Sequence, residues 1–272
     1  MFNRSWPRLL GRCAEGLYCR AIDGRGIVAR MLVLFTDFGF EGPYTGQMTA
    51  VLQQTAPAVP VVSLFADLPP GQPKPAAYLL AAYARWFAAG TVFVCVVDPG
   101  VGSERGALIV EADGRFYVGP DNGLFDIVPR RAARSRVWQI AWQPPALLAS
   151  FHGRDLFAPV AARLARGETP DSLGRDAQAM PQPGWPEDLA EIVYIDRYGN
   201  AMTGVRGEIV PPGARLSAGG RMLAHAETFS AVPLGAAFWY VNSNGLVEIA
   251  LNQGRADREL NLAIGAGIEI LS

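Results

Sequence analysis

The side chains best placed to do chemistry are an aspartate and an arginine that flank a glycine-rich turn, Asp98-Pro-Gly-Val-Gly-Ser-Glu-Arg105. The apolar, β-branched run at residues 91–97 predicts a strand that is buried on both faces and ends at this turn. Pro99 cannot donate a backbone hydrogen bond, and the two glycines permit backbone angles or close approaches that side chains forbid. We expect Arg105 to return towards Asp98. The pair is either a plain surface ion pair or part of a site, because ligands bind at this end of the strands in open α/β sheets.

A histidine precedes the helix predicted at residues 156–164, within the motif Phe151-His-Gly-Arg-Asp155. The N-terminus of a helix presents backbone donors and a partial positive charge. These face the same space as His152. A lone histidine is more often structural than catalytic, but the glycine, arginine and aspartate around this one favour a functional role.

Two further polar motifs follow predicted strands of the same region. In Thr36-Asp-Phe-Gly39, the carboxylate of Asp37 either accepts hydrogen bonds from ribose hydroxyls or caps a helix. The segment Gly119-Pro-Asp-Asn-Gly123 has the composition of a plain turn, and we favour that interpretation.

Polar turns also join strands near the C-terminus. In Asp196-Arg-Tyr-Gly-Asn200, Asn200 carries both a donor and an acceptor, as recognition of a base edge requires. An Asx-rich hairpin turn explains the same residues equally well. Asn242-Ser-Asn-Gly245 predicts a hairpin turn, and a ligand role for Ser243 depends on its context.

From Met31 onward, strands alternate with helices. This alternation predicts an α/β domain whose mainly parallel sheet is flanked by helices. Asp113-Gly114 between two short strands is a hairpin signal. The predicted strands lie at residues 32–35, 59–65, 91–97, 107–110 and 115–118, and the predicted helices lie at residues 44–54, 76–87 and 156–164.

The pattern changes after residues 167–188, which contain four prolines and predict a linker. Short strands separated by turns then predict a small β-barrel or sandwich. They lie at residues 192–195, 201–205, 215–218, 238–241, 246–251 and 267–271. We therefore expect an α/β domain over 31–180 and a smaller C-terminal β-barrel domain over 190–272. Residues 1–30 carry six arginines; we expect a loose extension there, or a natural start at Met31.

Composition excludes several classes of function. The chain has 272 residues, of which 50% are hydrophobic, and a formal net charge of −1. A field able to hold nucleic acid or an anionic membrane is therefore not expected. Three cysteines show no zinc spacing, and two histidines are a poor basis for a metal site. No apolar stretch approaches about 18 residues, so we expect a cytoplasmic protein without a membrane span.

Taken together and in order, the six motifs above resemble one family. It is the S-adenosyl-L-methionine hydroxide adenosyltransferases, also called S-adenosylmethionine hydrolases (adenosine-forming), which are relatives of the fluorinase and chlorinase enzymes. The resemblance covers residues 31–272 and implies a homotrimer that binds its substrate between the N-terminal domain of one chain and the C-terminal domain of the next. It implies the catalytic triad Asp98, Arg105 and His152, with no cofactor and no metal.

The resemblance also implies the substrate-binding residues Asp37, Asp196, Asn200, Phe229 and Ser243. Asp37 would hold the ribose hydroxyls, while Asp196 and Asn200 would hold the methionyl or adenine portion. Two positions depart from the family pattern. Gly204 stands where the family often has asparagine, and Ser63 replaces a common aspartate.

The expected reaction is attack of water or hydroxide on ribose C5′ of S-adenosylmethionine, which releases adenosine and methionine. The halide-using branch of the family carries tyrosine and threonine in the loop where this chain has Asp98 and Val101. This contrast favours hydrolysis over the two alternatives, a halogenase and a non-enzymatic sensor that binds adenosine or S-adenosylmethionine. A sensor has no need of a group that activates water.

Overall fold

The computed structural model describes residues 31–177 and 183–271. The expectation for residues 1–30 therefore lies outside the described part of the chain. One sheet of seven strands organises the N-terminal half. Its strands are β1 (Leu32–Thr36), β2 (Val61–Phe65), β3 (Val92–Val96), β4 (Ala107–Ala112), β5 (Arg115–Pro120), β6 (Ser135–Ile140) and β7 (Gly174–Asp176).

The sheet is parallel on one side and antiparallel on the other. Its strand order is β2-β1-β3-β5-β4-β6-β7. The first four strands in this order pair in parallel, whereas β4, β6 and β7 join by antiparallel pairing. The hairpin between β4 and β5 turns at Asp113 and Gly114, which both have positive φ, +47° and +76°. The predicted mainly parallel α/β sheet and its hairpin are thus confirmed.

Helices cover both faces of this sheet. Alternate residues of β1 point to opposite sides, so Val33 packs into one apolar cluster and Leu34 into the other. The first cluster is covered by α2 and α3, and the second by α1 and α4. The helices are α1 (Tyr44–Thr55), α2 (Pro73–Ala84), α3 (Ile127–Arg130), α4 (Ala158–Ala165), α5 (Pro170–Leu173) and α6 (Ala256–Glu259). None of the helices in the described residues is long and apolar enough to cross a membrane.

The predicted linker at residues 167–188 is wrong for its first part. Pro170 opens α5 at a position where a missing N–H costs nothing, and β7 follows at once as an edge strand paired to β6. The Trp138 indole N–H anchors this segment by donating to Asp171 over 2.7 Å. The linker prediction was wrong here because it was based on proline content, and proline begins a helix as readily as it interrupts one.

The C-terminal half forms a small barrel from two antiparallel sheets, as predicted. Single bridges between Glu191 and Gly267 and between His225 and Trp239 join the sheets at both edges, which closes the ring of strands. The sheets have the orders β12-β13-β9-β8 and β11-β10-β14. The strands are β8 (Leu189–Ile195), β9 (Ala201–Arg206), β10 (Arg215–Ala218), β11 (Arg221–Leu223), β12 (Ala237–Val241), β13 (Leu246–Leu251) and β14 (Glu269–Leu271).

The two halves pack together through α2. Leu189 and Met202 of the barrel lie in the same apolar cluster as α2, and the Phe65 ring meets Tyr194 edge-on at 5.3 Å. Gly204 belongs to this contact, because a Cβ there would lie 3.3 Å from Cδ1 of Tyr78 in α2, and also 2.7 Å from the Cβ of Leu189 on the neighbouring strand β8. The departure from the family pattern at this position therefore concerns packing between the halves.

Candidate active site

Asp98 and Arg105 form an ion pair at the carboxyl end of β3. One guanidinium nitrogen lies 2.5 Å from Asp98 Oδ1, and the side chains are 6% (Asp98) and 22% (Arg105) exposed. The Gly100 N–H donates to the same oxygen over 3.2 Å. The return of Arg105 across the turn is present as expected. Because the carboxylate is almost fully buried, a plain surface ion pair does not describe it.

The two glycines of this turn serve different purposes. Gly102 has a φ of +82°, a left-handed conformation that glycine adopts without strain. The backbone of Gly100 has no such requirement. A Cβ at position 100 would instead overlap the guanidinium of Arg105, with Cζ at 2.9 Å. Gly100 therefore lets Arg105 lie flat against the turn and reach Asp98.

His152 sits at the start of one π-helical turn, Gly153–Phe157, which leads directly into α4. Gly153 permits close packing, since a Cβ there would lie 3.2 Å from the Met48 sulfur. Arg154 donates twice to Asp155, over 2.6 and 3.1 Å, and Asp155 accepts the Leu148 N–H over 3.1 Å. The pKa of Asp155 is lowered, chiefly by the hydrogen bond from Arg154. These neighbours of the histidine hold its backbone segment in place.

Asp98 and His152 stand between two cavities. The front cavity has a volume of about 230 Å³, and Asp37 contributes to its lining. The rear cavity has a volume of about 250 Å³, and Arg105 contributes to its lining. Asp98 and His152 are the residues that line both. Of the three triad residues that the family resemblance implies, Arg105 pairs with Asp98, and His152 shares the lining of both cavities with Asp98.

Asp37 faces the front cavity from the end of β1. Its carboxylate accepts the Gly71 N–H over 2.8 Å, and burial raises its pKa, with a smaller contribution from the charge of Asp98. The alternative role as a helix cap is excluded, because α1 begins only at Tyr44 and is preceded by Pro43. The interpretation of residues 119–123 as a turn holds for the last three of them: β5 ends at Pro120, the Leu124 N–H donates to Asn122 Oδ1 over 3.2 Å, and Gly123 has a φ of +90°.

The four predicted binding residues of the C-terminal half line one cavity of about 770 Å³, here called the barrel cavity. They are Asp196, Asn200, Phe229 and Ser243. Within residues 31–177 and 183–271, no residue lines both this cavity and the front cavity of the same chain. The structure therefore gathers the predicted residues into two groups and does not bring Asp37 or the triad into the barrel cavity.

Asn200 is held by its own turn. Its backbone N–H and its side-chain amide donate to the two carboxylate oxygens of Asp196 over 2.9 and 3.1 Å, and only 6% of the residue is exposed. The amide donor that base recognition would require is engaged within the turn here. The alternative of an Asx-rich turn therefore accounts for this geometry.

Sequence reasoning missed Glu248, a buried carboxylate in the wall of the barrel cavity. It is 2% exposed and accepts the Tyr240 hydroxyl over 2.5 Å and the Asn242 amide over 2.7 Å. Asn242 in turn accepts two backbone N–H groups of the turn that carries Ser243. Burial raises the pKa of Glu248. An acid within the otherwise apolar run Leu-Val-Glu-Ile-Ala-Leu was the available signal.

Comparison with known families identifies the family of the chain. A model described as the SAM hydroxide adenosyltransferase N-terminal domain matches residues 32–174, and its C-terminal counterpart matches residues 190–269. The chain belongs to the SAM hydroxide adenosyltransferase family. The resemblance seen in the six motifs is thereby confirmed. Of the two departures from the family pattern, Gly204 lies in the packing between the halves and Ser63 lies exposed on β2.

Family relatives match over most of their length. The chain is 40% identical to an (R)-S-adenosyl-L-methionine hydrolase of Thermus thermophilus, over 89% of this chain and 100% of that protein. It is 36% identical to a protein of the same name from Salinispora arenicola, over 81% and 90%. A crystal structure of an uncharacterized conserved protein from Thermotoga maritima has a TM-score of 0.82 at 27% identity, covering 89% of this chain and 100% of that one.

Proposed function

We propose that this protein hydrolyses S-adenosyl-L-methionine to adenosine and L-methionine. Relatives at 36–40% identity carry the name of this activity. The observation that carries the proposal is the wall formed by a buried, arginine-paired Asp98 and by His152, which faces a cavity that also contains Asp37. A carboxylate and an imidazole beside a site for a ribose are the groups that activation of water requires.

In this mechanism the ribose lies in the front cavity and Asp37 accepts hydrogen bonds from its hydroxyls. A water held by Asp98 attacks C5′ as His152 takes its proton. The new C5′–O bond forms while the C5′–S bond breaks. The electron pair of the C5′–S bond stays with sulfur and converts the sulfonium into the neutral thioether of methionine. Arg105, on the rear side, keeps Asp98 oriented and compensates its charge. Positioning in line with the C–S bond supplies several kcal/mol.

We further propose that two chains complete each site, in a homotrimer. The front cavity, about 230 Å³, falls below the range of roughly 300–1,000 Å³ typical of small-molecule sites, whereas the barrel cavity, about 770 Å³, falls within it. Asp196, Asn200, Phe229 and Ser243 of the neighbouring chain would then hold the adenine and methionyl portions, with Asn200 acting through its side-chain oxygen because its amide N–H donates to Asp196. Tyr198 beside the barrel cavity and Phe40 near Asp37 are 75% and 80% exposed, which suits a contact between chains.

A halogenase is the less favoured alternative. The carboxylate of Asp98 lines the front cavity, where a halide would have to bind, and the negative charge opposes an anion. Val101, which lines the same cavity, offers no hydrogen bond to a halide.

The test is product analysis on single-site variants. Incubation with S-adenosylmethionine followed by chromatography should show adenosine and methionine in equal amounts. His152→Ala and Asp98→Asn should each lose most of this activity while calorimetry still detects binding. His225→Ala is the matched control, because it removes the other histidine, which packs on Trp239 in the barrel at a ring distance of 4.5 Å. Native turnover in either active-site variant refutes the assignment, and binding without turnover by the native protein would favour a sensor.

A further inference from the structure

The rear cavity has no part in substrate binding as proposed above, yet it touches the reacting groups. Asp98 and His152 form part of its lining, together with Arg105. Arg105 does not line the front cavity. The rear cavity, whose lining does not include Asp37, is therefore a second approach to the same carboxylate and imidazole.

The rear cavity has a mixed lining of polar and apolar side chains, and its polar members lie at the solvent-exposed side. Ser103, Gln139 and Gln143 contribute hydroxyl and amide groups to its lining, and all three are exposed residues. Its volume of about 250 Å³ has room for several waters, each of which occupies roughly 30 Å³ in the liquid. Such a lining can hydrogen-bond a short file of water that ends at Asp98 and His152.

The direction of attack explains why a separate approach is needed. In-line displacement requires the nucleophile to reach C5′ from the side opposite the sulfur. A ribose that fills the front cavity would itself block a water that approaches C5′ through the front cavity. We infer that the rear cavity is the entrance for the attacking water, which reaches C5′ past Asp98 and His152. This inference rests on the proposed hydrolysis and adds to it the path of the second substrate.

Methanol is a probe of this path, because it is a slightly larger nucleophile that leaves a distinct product. Its oxygen would bond to C5′ as the C5′–S bond breaks, its hydroxyl proton would pass to His152, and the products would be 5′-O-methyladenosine and methionine. The ratio of 5′-O-methyladenosine to adenosine at a fixed methanol concentration then reports how freely the entrance passes the larger molecule. Loss of overall stability does not change this ratio.

Two substitutions at the rear cavity change its width. Leu147, which is 39% exposed, lines the rear cavity, so Leu147→Ala widens it. Gln143→Trp narrows it. Leu148→Ala is the matched control, because Leu148 is the next residue, is 54% exposed and lines neither cavity.

Leu147→Ala should raise the ratio of methyl ether to adenosine by about fivefold, which is less than the roughly 10- to 200-fold that one methylene is worth in a closed pocket, because Leu147 is 39% exposed. Gln143→Trp should lower kcat by a similar factor with KM for S-adenosylmethionine unchanged, and Leu148→Ala should match the native protein in both measurements. If the native protein forms no methyl ether, the kcat of Gln143→Trp alone tests whether water enters through the rear cavity. Native kcat and an unaltered product ratio in both variants would refute the rear cavity as the entrance for water. A native protein that releases no adenosine would instead refute the proposed hydrolysis.

Discussion

Replacing Gly100 by alanine tests whether the Asp98–Arg105 pair works as the geometry suggests. The backbone at position 100 is outside the left-handed region, so alanine adds no strain there. Its methyl group would overlap the terminal guanidinium nitrogen of Arg105 and approach Cζ to 2.9 Å, where carbon contacts normally need 3.5–4.0 Å. Arg105 must swing away and release Asp98. Because this side chain is flexible, the protein still folds.

The size of the effect follows from the burial of the pair. Exposed ion pairs contribute about 0–1 kcal/mol, and breaking a buried pair costs about 3–5 kcal/mol. With side chains 6% and 22% exposed, this pair lies between the two limits, at about 2–3 kcal/mol. If that energy orients Asp98 in the transition state, kcat should fall by about 30- to 150-fold.

The assay is adenosine release at saturating S-adenosylmethionine, with thermal melting measured in parallel. Gly46→Ala is the matched control. It lies within α1, and a Cβ there meets nothing within 4 Å, so activity should remain native while the helix gains about 0.5–1 kcal/mol. The Gly100→Ala variant should lose activity, and its melting temperature should fall by about 4–12 °C, the shift that about 2–3 kcal/mol produces in a chain of this size.

A double-mutant cycle supplies the refutation. If Gly100→Ala acts by displacing the guanidinium, then adding it to Arg105→Met should cost nothing further, because the group it displaces is already absent. Additive losses in the double variant would mean that the methyl group disturbs the turn itself. Native kcat in Gly100→Ala would equally refute the role given to the ion pair.

Three further predictions concern the carboxylates of Asp37 and Glu248. Asp37→Asn keeps an acceptor for Gly71 but removes the charge offered to ribose, so KM for S-adenosylmethionine should rise by about 10- to 100-fold in steady-state assays, and an unchanged KM contradicts its role. Glu248→Gln places an amide donor opposite the donor groups of Tyr240 or Asn242, so KM should rise by about tenfold with kcat nearly unchanged. Glu269→Gln, on exposed β14, is the control and should leave KM unchanged. Burial raises the pKa of Glu248 above its ordinary 4.5. The contribution of the neutral carboxyl to the free energy of unfolding is therefore complete below pH 4.5 and is lost as pH rises through the folded-state pKa. The melting temperature of native protein should therefore fall relative to Glu248→Gln as pH rises from 4.5, and a constant difference would count against a buried, perturbed carboxylate.

Local features of the sequence carried much of the prediction. Continuous apolar runs identified the central strands, which are buried on both faces, and the acid–proline–glycine turn after β3 indicated a site because a ladder cannot continue through it. The edge strand β7 was missed because three residues next to a proline-rich segment carry no periodic signal. Glu248 was missed because a carboxylate in an apolar strand acquires its meaning only from the Tyr240 and Asn242 side chains around it.

By itself the sequence determined the α/β order of elements and the family, and it predicted the triad residues, since these depend on residue types and spacing along the chain. Only the tertiary structure decided that Asp98 is buried and that His152 shares two cavities with it, although 54 positions separate them. It likewise decided that Asn200 is committed to Asp196 and that the barrel cavity lies apart from the front cavity. The physical reason is that burial and contact depend on which strand ends meet, and that meeting is set by the packing of the whole sheet.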